Sequence, residues 1–156
     1  MNRVDFRAEE VPLPPWTKAA KGYILKVLEI QGLKNWELSV LFCNNAYIKT
    51  LNAQYRNKNE ITDILSFPLG EKGPGGRYLA GDIVISLDAL EENARYFKVS
   101  ADEELRRLLV HGILHLSGED HSSNKPEEPM LETQEKILRR LAEIRLIEAK
   151  LTEKNS

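Results

Sequence analysis

At 156 residues, with 42% hydrophobic and 29% charged residues, the chain has the size and composition of one ordinary globular domain. No apolar stretch approaches the roughly 18 residues of a membrane span. The formal net charge of −2 does not indicate a nucleic-acid-binding protein, although a local basic patch could still bind nucleic acid. The only cysteine, Cys43, excludes an intramolecular disulfide and a multi-cysteine zinc site, and we expect it in the core.

Helix and strand signals alternate along the first half of the chain. Residues 1–15 mix charges with prolines and lack the apolar region of a secretory signal, so we expect a cytoplasmic protein with no membrane partner. An amphipathic helix is predicted over residues 16–31, and a strand over residues 36–43. Asn44 and Asn45 can cap the helix that follows. Residues 56–60 are predicted to form a polar loop.

The second half begins with a short predicted strand, residues 64–67, closed by Pro68. Residues 70–76 contain four glycines and a proline, which predicts a flexible loop. The remaining predicted elements are a strand over 78–86, a helix from Ser86 to about Phe97, a helix opened by a capping box at 100–103 and ending at 116 or 117, and a helix from Pro126 to about Lys150. These elements predict one domain over residues 1–156, mixed α and β, with a small sheet carrying several helices.

All three histidines of the chain fall in one short segment, at positions 111, 115 and 121. His111 and His115 are four residues apart on a predicted helix, so both rings leave the same face one turn apart. Gly118 can adopt a positive φ and reverse the chain, which could return His121 as a third ligand. Three protein ligands with one open position are typical of catalytic zinc. We therefore predict one metal ion per chain, zinc or another transition metal that imidazole binds.

The spacing also matches the metal cradle of the metzincin proteases, including the glycine at the bend. One position differs. Where those enzymes carry the glutamate that acts as general base, this chain has Gly112. Peptide hydrolysis by their mechanism would lack its proton acceptor, so a metallopeptidase is a weak alternative.

With Gly112 included, the segment His-Gly-Ile-Leu-His-Leu-Ser-Gly-Glu-Asp-His resembles the signature of the YbeY family, bacterial endoribonucleases that mature ribosomal RNA. Two further segments are similar to that family: Leu51 to Arg56 followed by Thr62 to Pro68, and Gly81 to Ser86. The resemblance extends from about Trp36 to His121. It implies an α+β fold, a small mixed sheet with about five helices, and a metal held by His111, His115 and His121.

The resemblance also implies an activity and partners. The expected function is single-strand-specific cleavage of RNA in 3′-end maturation of the small-subunit (16S) ribosomal RNA and in ribosome quality control. The expected partners are the ribosomal RNA precursor, a small-subunit ribosomal protein and an Era-type GTPase. Arg56, His111 and His115 are the implied catalytic residues. Taken alone, Arg56 fits a solvated loop residue better, but a guanidinium beside a metal could bind phosphate oxygens in bidentate fashion.

Several other charged residues have less specific interpretations. Asp63 and Asp82 are expected at turns or strand ends, or as partners that orient the histidines. Glu119 and Asp120 are candidate proton acceptors, and Arg106 and Arg107 are expected on a solvated helix face. A non-catalytic ribosome-assembly factor, in which the metal only stiffens the helix–turn, remains the alternative function; it would bind RNA without cleaving it.

Overall fold

The computed structural model describes residues 1–147, which form one four-stranded sheet and five α-helices. The elements, in chain order, are β1 Arg3–Ala8, α1 Thr17–Ile30, β2 Trp36–Cys43, α2 Asn45–Arg56, β3 Ile64–Lys72, a 3₁₀ turn Pro74–Gly76, β4 Tyr78–Ser86, α3 Leu87–Phe97, α4 Ala101–Leu116 and α5 Pro129–Arg140. Within the described residues, no helix is both long and apolar enough to cross a membrane. The predicted α+β class with a small mixed sheet is confirmed.

The strands are ordered β1-β2-β4-β3, with β1, β2 and β4 parallel and β3 antiparallel to β4. The end of β2 is buried on both faces of the sheet, because alternate side chains point to opposite sides. Val40 and Phe42 belong to the main core, together with side chains of α1 and α4, whereas Leu41 and Cys43 pack in a smaller cluster with Ile48 of α2. Helices therefore cover both faces of the sheet, and Cys43 is buried as predicted.

Most predicted elements and caps are confirmed. The Asn44 side chain accepts a hydrogen bond from the Tyr47 amide at 2.9 Å. Ser86 and Ser100 cap α3 and α4 by accepting from the amides three residues further on. Each bond satisfies one of the backbone N–H groups that a helix leaves without a partner in its first turn.

Both edge strands of the sheet differ from the prediction. β1 was not predicted, because Val4 is its single buried side chain, and the partly buried Phe6 and Ala8 alternate with exposed charged residues. β3 continues to Lys72 instead of ending at Pro68, and the predicted flexible loop is reduced to a short turn. Proline is tolerated there because β3 is an edge strand with an irregular register beyond Pro68. Gly81 of β4 lets the backbone of β3 come close at this point, because a Cβ on residue 81 would clash with the Phe67 carbonyl oxygen.

The final helix was predicted too long. α5 spans Pro129–Arg140, residues 141–147 form turns, and the last predicted positions, 148–150, lie outside the described residues. The amides of Leu146 and Ile147 donate to Asp102 Oδ1 at 2.6 and 2.8 Å. Leu146 is buried in the main core.

The expectation that Arg106 lies on a solvated face was wrong. Arg106 is 6% exposed, and its Nε donates to Asp102 Oδ2 at 2.9 Å. The amides of residues 146 and 147 bind the same carboxylate, so the ion pair is buried between α4 and this segment. Arg107 is 40% exposed and pairs with Glu135 of α5.

Candidate metal centre and substrate groove

The last turn of α4 and the bend after it bring the three histidines together. α4 ends at Leu116, and Gly118 has a φ of 97°, a left-handed conformation that reverses the chain as predicted. The ring centroids of His111 and His115 are 4.6 Å apart, and that of His121 lies 5.2 and 5.5 Å from them. One ring nitrogen from each histidine lies within 4.8 Å of the other two. The cluster predicted from spacing is therefore formed.

Two hydrogen bonds orient the rings of this cluster. His111 Nδ1 lies 2.8 Å from Gln134 Oε1, and His121 Nδ1 lies 2.8 Å from the Ser123 carbonyl oxygen. Because these oxygens only accept, each Nδ1 carries the proton and each Nε2 is left with a free lone pair. His111 Nε2 lies 3.1 Å from His115 Nε2, so the lone pair of His111 points into the cluster.

The surroundings favour neutral imidazoles. Burial lowers the pKa of His111, and the nearby His121 lowers it further against the raising effect of the Gln134 hydrogen bond. Burial also lowers the pKa of His115, followed by the effect of His111, while Asp120 raises it. Neutral imidazole nitrogen is the form that binds a metal. The three converging nitrogens therefore fit a transition ion that prefers nitrogen donors, with the remaining side open to solvent.

A groove of about 690 Å³ begins at this open side. His111, His115 and Arg56 line this groove, as do Thr62 and Ser66. The groove also includes the candidate proton acceptors Glu119 and Asp120. The fold thus brings together the histidines, the arginine and the two acids that the sequence singled out.

Arg56 is the last residue of α2, not a member of the polar loop that was predicted to begin there. Its Nη2 donates to the Ser66 carbonyl oxygen at 2.5 Å, and its guanidinium carbon lies 5.4 Å from the centre of the Phe67 ring. These contacts hold the guanidinium at the groove, and within residues 1–147 its other N–H donors have no hydrogen-bond acceptor. Such a positioned fork suits phosphate oxygens.

The four candidate acids have different surroundings. Burial raises the pKa of Glu119, while Asp120 is largely exposed and lies 4.0 Å from His115 Nδ1. Asp63 accepts a hydrogen bond from Asn93 and makes no direct hydrogen bond to a histidine. Asp82 lies within β4, accepts from Ser39, and is not part of the groove.

Gln134 is a site residue that sequence reasoning missed. It is 5% exposed on α5, and 23 residues separate it from the histidine it contacts. The only signal in the sequence is a polar residue at helical spacing between Met130 and Ile137, which both face the core.

Gly112 faces the sheet, away from the groove. A Cβ there would lie 2.9 Å from Ile83 Cδ1 and 3.2 Å from Ile64 Cδ1. The missing side chain lets α4 approach β3 and β4 closely. A glutamate at this position would enter the core, so the described site has neither the residue nor the space for the protease base.

The chain is similar to known proteins in both sequence and structure. The chain matches the family described as Endoribonuclease YbeY over residues 3–142. Curated relatives named Endoribonuclease YbeY include one from Treponema denticola, 52% identical in an alignment of 122 residues that covers 76% of this chain and 79% of the relative. Another, from Treponema pallidum, is 44% identical in an alignment of 142 residues that covers 88% of this chain and 89% of the relative. The solution structure of TM1509 from Thermotoga maritima superposes with a TM-score of 0.63 at 30% identity, covering 90% of each chain.

Proposed function

The chain belongs to the YbeY endoribonuclease family, and on that premise we propose that it cleaves single-stranded RNA with a zinc ion held by His111, His115 and His121. The proposed catalytic residues are Arg56, His111 and His115, and the catalytic unit is a single domain formed by residues 1–156. The observation that carries the proposal is one groove whose wall holds His111 and His115 of the three-histidine cluster together with a positioned arginine.

Zinc is proposed because the donors are three imidazole nitrogens, the set that catalytic zinc uses together with one open position. Other transition metals that imidazole binds would also suit these donors. When bound there, zinc would supply Lewis acidity toward a phosphoryl oxygen and acidify a water molecule.

The side chains of the chain itself bind and orient the substrate. Arg56 binds the non-bridging oxygens of the phosphate to be cleaved, while the Ser66 carbonyl oxygen keeps its guanidinium in place. The guanidinium is thus already in position when negative charge develops on those oxygens in the transition state. Such preorganised donors are usually the largest contribution to transition-state stabilisation. Ser66 and Phe67 are thus positioning groups.

The nucleophile must lose a proton, and Glu119 and Asp120 are the proposed acceptors. Burial raises the pKa of Glu119 toward the working pH, and a general base is most effective when its pKa lies near that pH. Asp120 lies beside His115 and can instead orient that ring.

The family relationship suggests the biological substrate. We propose the 3′ end of the small-subunit (16S) ribosomal RNA precursor and defective ribosomes, with a small-subunit ribosomal protein and an Era-type GTPase as partners in the cytoplasm. With a net charge of −2, RNA affinity must come from local groups. Arg56 and Lys58 supply positive charge in the groove wall.

A single-turnover assay with zinc-loaded protein and a 5′-labelled single-stranded RNA tests the proposal. We expect chelator-sensitive cleavage that falls about 100-fold or more in Arg56→Ala, since removal of one preorganised donor has effects of that size. Arg56→Lys should restore only part of the rate, because the ammonium keeps the charge and loses the fork.

Arg3→Ala is the matched control, because Arg3 is exposed on β1, at the opposite edge of the sheet from β3. Its rate should equal that of the unsubstituted protein. RNA that is bound and left intact by the zinc-loaded protein would favour the non-catalytic assembly factor. Full activity in Arg56→Ala would return that arginine to the role of a solvated surface residue.

A further inference from the structure

A second cavity, of about 770 Å³, lies on the other side of the histidine cluster. His111 lines both cavities, His115 lines the groove, and His121 lines the second cavity. The second cavity is enclosed by α3, α4, α5 and the segment before β3, and the proposed function uses none of its other residues. Those that bear on binding are Asp63, Asn93, Glu104, Arg107 and the aromatic Phe97.

The polar part of this cavity is acidic. Glu104 is 4% exposed and forms no ion pair within 4.0 Å in the described part of the chain. Burial raises its pKa, and so does the negative charge of Asp63, against the lowering effects of the nearby Arg107 and of a hydrogen bond from Asn93. Asp63 Oδ2 accepts from Asn93 at 2.9 Å, and the guanidinium of Arg107 is paired with Glu135 at 2.5 Å. A carboxylate has about four acceptor sites, so the one donor that Asn93 offers to each leaves most of the acceptor sites of these two lining residues unfilled.

This charge decides what the cavity can hold. Asp63 and Glu104 repel phosphate, and Arg107, which also lines the cavity, is already paired with Glu135, so the RNA backbone belongs in the groove that Arg56 lines. A ligand with N–H donors complements the carboxylates. Among the nucleobases, guanine presents two donors side by side, N1–H and the N2 amino group, which one carboxylate accepts together. Adenine and cytosine place an acceptor next to their amino group, and uracil has a single N–H donor.

One wall of the cavity offers a stacking surface. Phe97 is 61% exposed at the end of α3, although it is a large apolar residue. Tyr96, 79% exposed, packs edge-on against it with the ring centroids 5.0 Å apart. Exposed aromatic side chains beside a polar pocket are the means by which proteins hold unstacked bases of single-stranded RNA. The cavity volume lies in the range of small-molecule sites.

We propose that this cavity is a guanine subsite, in which Glu104 accepts from N1–H and N2–H of a base next to the cleaved phosphate while Phe97 stacks on its face. The inference rests on the proposed RNA cleavage and adds a base preference to it. Asp63 and Asn93 are positioning residues: Asn93 holds Asp63 beside Glu104. His111 and His121, shared with the metal cluster, place the base adjacent to the reacting phosphate.

The test measures binding and cleavage separately in the full-length, zinc-loaded protein. Binding of guanosine, inosine and adenosine 5′-monophosphates is measured by calorimetry. Guanosine monophosphate should bind about tenfold or more tightly than adenosine monophosphate. The affinity for inosine monophosphate should lie between the two, because its base lacks the N2 amino group. Glu104→Gln should abolish most of this preference while leaving adenosine binding unchanged. Glu103→Gln, an exposed neighbour on α4, is the matched control and should behave like the unsubstituted protein.

Phe97→Ala provides a variant at an exposed position, where loss of folding is not expected. It should weaken all three nucleotides by about tenfold, since stacking does not depend on base identity. Cleavage of RNAs with a single guanosine in an adenosine background should occur next to that guanosine, and Glu104→Gln should remove the preference.

The outcomes separate the two proposals. Equal binding of all three nucleotides, or an unchanged guanosine preference in Glu104→Gln, overturns the guanine subsite even if RNA is cleaved. Guanosine preference that depends on Glu104, with RNA left intact, supports the subsite and overturns the endonuclease.

Discussion

The hydrogen bond from His111 to Gln134 should set the metal affinity of the site. Gln134→Leu removes the acceptor at nearly constant volume and leaves the buried Nδ1–H of His111 without a partner. An unsatisfied buried donor costs about 1–3 kcal/mol, which is about a 5- to 150-fold change in an equilibrium constant. Loss of comparable hydrogen bonds to metal-binding histidines weakens metal affinity by about 10- to 100-fold. We expect a loss within that range.

Competition with a chromophoric chelator measures this affinity at fixed pH. Gln134→Glu gives an opposite test, because a carboxylate acceptor makes the imidazole more basic and should raise the affinity. Lys136→Ala, at an exposed position two residues further along α5, controls for a general effect on that helix. If the leucine and glutamate variants both hold zinc like the unsubstituted protein, Gln134 does not orient a ligand and the assignment of His111 fails.

Three further outcomes are expected. Gly112→Ala should lower the free energy of unfolding by about 1 kcal/mol, because overpacking outweighs the gain in helix propensity. Gly22→Ala in α1 should raise it, because a Cβ at that position would have no atom within 4 Å; equal effects of the two substitutions in urea denaturation would contradict the close packing of α4. Asp102→Ala should lower the free energy of unfolding by about 3–5 kcal/mol and Tm by about 10 °C, because the substitution leaves the buried Arg106 unpaired. Glu103→Ala should change Tm little, and similar melting curves for the two variants would refute this expectation. As the pH is lowered, zinc affinity should stay constant down to about pH 6.5 and fall below that, because burial lowers the pKa of His111 and a protonated ring cannot bind the ion. Constant affinity down to pH 5 would exclude histidine ligands.

The sequence predicted the metal cluster because its geometry is local. Two ligands share one helical turn, and the third follows a glycine that adopts the expected left-handed conformation. Arg56 was a candidate by family resemblance alone, since its proximity to the histidines depends on how α2, β3 and α4 pack. Gln134 and the acidic cavity were missed for the same reason: their contacts join residues that are far apart in the chain.

Edge strands and buried charges were the weak points of the fold prediction. β1 has one fully buried apolar residue, Val4, too few for an alternation to stand out. Pro68 suggested a strand end, but an edge strand needs only half of its backbone hydrogen bonds. Arg106 looked solvated because charge usually indicates exposure; its partner Asp102 is enclosed by the turn at residues 146–147, which sequence pattern does not reveal.

The most direct test of the account is a zinc titration of metal-free protein, with zinc content and RNA cleavage measured in the same samples. We expect the single-turnover rate to rise in proportion to bound zinc and to reach its plateau at one equivalent per chain. His115→Ala should bind little zinc under the same conditions and remain inactive, because two imidazoles are left to hold the ion. Cleavage by the metal-free protein at the full rate, or one equivalent of zinc retained in His115→Ala, would contradict the central claim.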